Sequence, residues 1–68
     1  MNFKEYSEDF LNEESPLGDL ARDMKSDGGF PETNDFEKVE GYLLYMGACY
    51  EALKAAKEMF EKYSEEIK

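Results

Sequence analysis

The chain has 68 residues, 41% hydrophobic and 15% aromatic, with 8 basic against 17 acidic side chains and a formal charge of −9. This is one domain, too apolar to stay disordered, with an expected folded surface of roughly 4,400 Å² and about 60% of the unfolded surface buried. With no histidine and one cysteine, His-based general bases, Ser–His triads and HExxH zinc sites are excluded, as are intramolecular disulfides and multi-cysteine metal sites.

Helical periodicity runs through the whole sequence. Phe3, Tyr6 and Phe10 fall at i, i+3 and i+7, with Leu11 beside them, and predict a short first helix over about residues 2–12. Ser15-Pro16 then forms a helix start, serine as the capping acceptor and proline at the first helical position, where a missing N–H costs nothing. Leu17, Leu20, Ala21 and Met24 mark the buried face of this second helix. Asp19 in its first turn and Lys25 in its last suit the helix dipole. Gly28-Gly29 is expected to stop it, one of the two glycines adopting the left-handed conformation.

Phe30 precedes Pro31 and is held extended, so it is expected to plug the core from a loop. Thr33 or Asn34 then caps a third helix beginning at Asp35. From residue 36 onwards Phe36, Val39, Leu43, Met46, Tyr50, Leu53, Met59 or Phe60, Tyr63 and Ile67 keep near-heptad spacing. One continuous rod would reach on the order of 50 Å and need a partner helix to cover it. Gly41 and Gly47 each weaken a helix by about 1 kcal/mol relative to alanine. The break is therefore placed near Gly47, with helices over about 35–46 and 48–66. Opposite charges at i, i+4, such as Lys54/Glu58 and Lys57/Glu61, support the last helix by about 0.2–0.5 kcal/mol per pair.

No strand pattern appears, and the predicted fold is all-α, a compact bundle of four to five short helices. Its expected core is Phe3, Tyr6, Phe10, Leu17, Leu20, Met24, Phe30, Phe36, Val39, Leu43, Met46, Leu53, Met59 or Phe60, and Tyr63.

At Pro16-Leu17-Gly18-Asp19-Leu20-Ala21-Arg22-Asp23-Met24, then Asp27 and Phe30-Pro31, the chain resembles the YozE-type family of short bacterial proteins with a sterile-alpha-motif-like (SAM-like) fold. The similarity extends over about residues 3–65. It implies a bundle of four or five helices without catalytic residues, and nucleic-acid or protein binding by analogy of fold. The chain departs from the family in its strong acidity, and in carrying Met59-Phe60 where a tryptophan is expected.

No catalytic, metal-binding or cofactor-binding residues are assigned. Seventeen carboxylates make close acid pairs uninformative, and a general acid needs one of them in an apolar pocket. Asp27-Gly28-Gly29 lacks the alternating oxygens of a calcium loop and is read as a turn. Cys49 is expected as a small core or semi-buried residue and not as a redox thiol. No apolar run nears the roughly 20 residues of a membrane span. The acidic N-terminus lacks a signal-peptide core, so a cytoplasmic, monomeric protein is expected, a homodimer remaining open.

The charge is polarised. Residues 1–40 carry twelve acids and four bases, a net of −8, and residues 41–68 five and four, a net of −1. The sequence thus points to a non-catalytic module that binds a protein, basic in character, through Glu5, Asp9, Asp19, Asp23, Asp27, Tyr42 and Tyr45. The bland alternative is a solvated face that keeps the protein soluble. Nucleic-acid binding is disfavoured, because clustered Lys/Arg are missing. Only Lys54, Lys57, Lys62 and Lys68 could serve it. An acidic DNA mimic is the third possibility.

Overall fold

A computed structural model describes residues 2–66, so Ile67 and Lys68 lie outside the described residues. Four helices follow one another along the chain: α1 (Phe3–Ser7), α2 (Pro16–Ser26), α3 (Phe36–Tyr45) and α4 (Tyr50–Glu66), with a 3-10 turn at Glu8–Phe10. The accessible surface is 4601 Å² and the radius of gyration 10.7 Å, close to what 68 close-packed residues require.

The starts of α1, α2 and α3 are each capped by a side chain. Asn2 caps α1 in a capping box: its side chain accepts from the Glu5 N–H, and Glu5 Oε1 accepts from the Asn2 N–H. Helix α1 is shorter than the expected 2–12, because after Ser7 the chain tightens into the 3-10 turn. The segment after that turn is held by Arg22 of α2, whose Nη1 donates to the Leu11 and Glu13 oxygens at 2.8 and 3.3 Å. Ser15 caps α2 through the Gly18 N–H, with Pro16 at the first position as expected. Gly18 is needed for space, since a Cβ there would overlap the Glu13 carbonyl. Helix α3 is capped by Asp35, accepting from the Glu37 N–H, and not by Thr33 or Asn34. Thr33 Oγ1 accepts instead from the Asp35 N–H, and Asn34 from the Tyr63 hydroxyl at 2.8 Å.

The stop signals fall differently from the expectation. Helix α2 ends at Asp27, extended at φ −95°, and neither Gly28 nor Gly29 is left-handed. Asp27 makes the turn itself, its Oδ1 accepting from the Gly29 N–H and its carbonyl from the Phe30 N–H. The left-handed glycine is Gly47, at φ 77°. Around it the Gly47 N–H bonds to the Leu44 oxygen and the Ala48 N–H to the Leu43 oxygen. This is the Schellman pattern that ends a helix. The break near Gly47 is therefore present, and no rod forms.

Helix α4 is the spine against which α1, α2 and α3 all pack. The core holds Phe3, Tyr6, Leu17, Leu20, Ala21, Met24, Phe30, Val39, Leu43, Ala55, Ala56, Met59 and Tyr63. Of the Met59/Phe60 alternatives, Met59 is fully buried and Phe60 packs on its edge. Phe10, Phe36 and Leu53 are half-buried at the same margin. Met46 is not core. It stands 57% exposed, because α3 ends at Tyr45 and Met46, at φ −82° and ψ 0°, leaves the Val39–Leu43 stripe. Tyr50 is also exposed.

An aromatic cluster ties the first residues to the last helix. Phe3 meets Phe60 at 5.3 Å and Tyr63 at 6.1 Å between ring centroids, and Tyr6 meets Tyr63 at 5.1 Å. No helix of the described residues is long and apolar enough to cross a membrane.

Candidate functional site: an acid-edged apolar groove

Helices α2 and α3 both lie on α4 without approaching one another at backbone distance. Phe30 fills part of the gap from the intervening loop, with its ring 5.3 Å from that of Tyr42. The remainder is a groove of about 250 Å³. Its floor is apolar: Leu20 and Met24 from α2, Leu43 and Met46 from the end of α3, Ala48, and Ala52 of α4. The Schellman turn makes this floor, because it brings Leu43 and Ala48 together and carries Met46 out of the helix.

One edge of the groove is acidic. Asp19, Asp23 and Asp27 follow each other at four-residue intervals, so they form a row along one side of α2 and its end. Asp23 and Asp27 line the groove, and Asp19 and Asp23 line a smaller depression of about 150 Å³ that shares Leu20, Cys49 and Ala52 with it. Glu51 adds a further carboxylate there. Asp19 and Asp23 are both exposed, and Asp19 is paired with Arg22 at 2.5 Å. Among the described residues the other ion pair is Lys25–Glu8 at 3.5 Å.

Asp27 and Tyr42 close the groove at one end. The Tyr42 hydroxyl donates to Asp27 Oδ2 at 2.5 Å. That hydrogen bond and the one from the Gly29 N–H hold the Asp27 carboxyl below the usual carboxylate range. The same hydrogen bond, with desolvation, raises the Tyr42 phenol. Helix α3 ends with Leu44, Tyr45 and Met46 exposed, Tyr45 at 84%, and α4 begins with exposed Tyr50; of these Met46 lines the groove.

Four of the seven residues expected from the sequence thus fall on the groove and the depression adjoining it. Asp23, Asp27 and Tyr42 line the groove, Asp19 lines the depression, and Tyr45 stands exposed at the end of α3 and lines neither. Glu5 and Asp9 do not line them. Glu5 serves the α1 capping box, and Asp9 stands exposed in the 3-10 turn. Sequence reasoning missed Met46 and Cys49, both expected in or near the core. Cys49 is exposed, just ahead of α4 and at the groove margin. The signal that could have found them was Gly47, since a left-handed break turns the residues around it outward.

A wider depression of about 750 Å³ between α3 and α4 carries Lys54 and Lys57, but Glu40, Glu58 and Glu61 share it, so it offers no basic surface. Among the described residues no group of three metal-ligating side chains converges.

A protein-family model described as YozE SAM-like fold matches residues 2–65. No curated protein and no solved structure matches the chain.

Proposed function

We propose, from the premise that the chain belongs to the YozE SAM-like family, that it is a non-catalytic interaction module which binds a basic protein through the acid-edged groove. The observation that carries this reading is the coincidence of two features in one place. The Asp19–Asp23–Asp27 row runs beside an open apolar floor, and charge beside exposed apolar surface is the composition of a recognition site rather than of a merely solvated face. Asp27 itself is unsuited to be a general acid, because its carboxyl is held low by the Tyr42 and Gly29 hydrogen bonds, opposite to what that role needs. Nucleic-acid phosphates would meet carboxylates at this groove, and the net charge of −9 repels them generally.

Cys49 supplies the test, as the single thiol of the chain, exposed at the groove margin. A photo-crosslinker attached there is expected to capture a partner from an extract of the organism that encodes the protein. Capture is expected to fall sharply in an Asp19→Lys/Asp23→Lys variant and to survive in Glu61→Lys, a charge reversal outside the groove. Adducts that ignore the Asp19/Asp23 reversal, or no adducts at all, would overturn the proposal.

A further inference from the structure

The occupant of the groove can be narrowed from its chemistry. We infer that it is an amphipathic α-helix with a basic edge: a segment of a partner protein that sets bulky apolar side chains over Met46 and Ala52 and Lys or Arg against Asp19 and Asp23. This rests on the interaction-module reading above and specifies its partner.

Three observations point to a helix. The floor is made of Leu, Met, Phe and Ala side chains, which offer no hydrogen bonds. An extended peptide laid on it would desolvate backbone N–H and C=O groups without partners, whereas a helix satisfies its own. The described residues form helices and loops and no strand, so they present no sheet edge for strand addition. Finally, Asp19 and Asp23 are one helical turn apart, about 6 Å along the axis. Basic residues at i, i+4 on a helix running beside α2 repeat at the same interval.

Charge and size exclude the competing occupants. A second copy of this chain would bring acids to acids, since the row, Glu51 and a net charge of −9 all repel an identical surface. A groove of about 250 Å³ is smaller than the usual small-molecule site of about 300–1,000 Å³, and suits side chains from a docked surface. Met46, flexible, polarisable and exposed, adapts to different apolar shapes. The expected partner is therefore defined by pattern more than by one fixed side chain.

The experiment uses the full chain and three labelled peptides of about 18 residues. The first carries a leucine stripe flanked by lysines at i, i+4. The second has the same composition with two central residues changed to proline, and the third has glutamate for lysine. Fluorescence anisotropy is expected to show the first binding, with a gain of helical circular dichroism, and the second at least about tenfold weaker. The third should not bind, and affinity for the first should fall as salt rises. Asp23→Lys and Met46→Ala, both at exposed positions, should each weaken the first peptide by about tenfold without moving the melting temperature.

Equal binding of the proline peptide, indifference to Met46→Ala, or no binding of the first peptide overturns the helical occupant. So does sedimentation of the protein alone as a dimer disrupted by Met46→Ala. None of the peptide results bears on capture at Cys49, which judges the interaction-module reading separately.

Discussion

The Tyr42 hydroxyl donates to Asp27 Oδ2 at 2.5 Å, joining the end of α2 to α3, two helices that do not otherwise meet at backbone distance. The bond acts as a strut across the groove mouth. Its effect on stability follows from both partners. Asp27 is lowered from 3.8 and Tyr42 raised from 10.0. The Asp27 contribution is fully present above 3.8 and is lost as pH falls through the folded carboxyl's lower value. The Tyr42 contribution is fully present below 10.0 and is lost as pH rises through the folded phenol's higher value. Tyr42→Phe is therefore expected to destabilise by a constant amount between those limits, and the gap to wild type should close in acid. Urea denaturation across the pH range measures this, and a gap unchanged in acid contradicts the strut.

Arg22 tests how α1 and its turn are held to α2. Its guanidinium reaches the Leu11 and Glu13 carbonyls and Asp19 together. Arg22→Ala is expected to cost about 1 kcal/mol, the net worth of partly exposed charge-assisted bonds. Arg22→Lys should rescue little, because an ammonium lacks the planar fork that serves three acceptors. Thermal melts of both variants decide it.

The glycines separate three physical roles. Gly47→Ala forces a Cβ into the left-handed region at φ 77° and is expected to cost about 1–2 kcal/mol. Gly18→Ala is expected to be more damaging, because its Cβ would collide with the Glu13 backbone. Gly41 lies inside α3 with open space around it, so Gly41→Ala should stabilise by about 1 kcal/mol. Chemical denaturation that ranks the three otherwise contradicts these assignments.

Core depth sets the fourth expectation. Leu20 is buried in the central cluster and Phe10 only half-buried at its edge. Leu20→Ala is therefore expected to cost about 2–5 kcal/mol, and Phe10→Ala less, although phenylalanine is the larger residue. An unchanged melting temperature for Leu20→Ala would contradict the assigned core.

Most of the bundle could be read from the sequence because its signals are local. Ser15-Pro16, the Leu17–Met24 stripe and the Gly47 break each act within one or two helical turns. What escaped depends on how the turns are built. Asp27 takes the Gly29 N–H onto its own carboxylate, so the Gly28-Gly29 pair needs no left-handed residue. Asn34, a plausible cap, is taken by Tyr63, 29 residues away. Met46 fits a heptad in the sequence, yet the Schellman turn removes it from the helix that the heptad assumes. The groove was half legible. The acids at residues 19, 23 and 27 are regular in the sequence, but the apolar floor exists only because α2 and α3 pack on α4 and not on each other.

The ring contacts of Phe3 with Phe60 and Tyr63 bear on the order of folding. Helix α1 has five residues, far below the roughly 12–15 at which a helix persists alone. Its ring contacts with α4 form only when the chain closes a loop that runs from residue 3 to residue 60, an entropic cost met late. Helices α2 and α3 each pack on α4 over shorter separations and are expected to assemble with it first. Truncating Phe3 to Leu should therefore speed unfolding in stopped-flow experiments while leaving the refolding rate nearly unchanged. On that expectation the aromatic cluster is a kinetic clasp: it governs the lifetime of the native state, and the bundle forms at a rate set elsewhere.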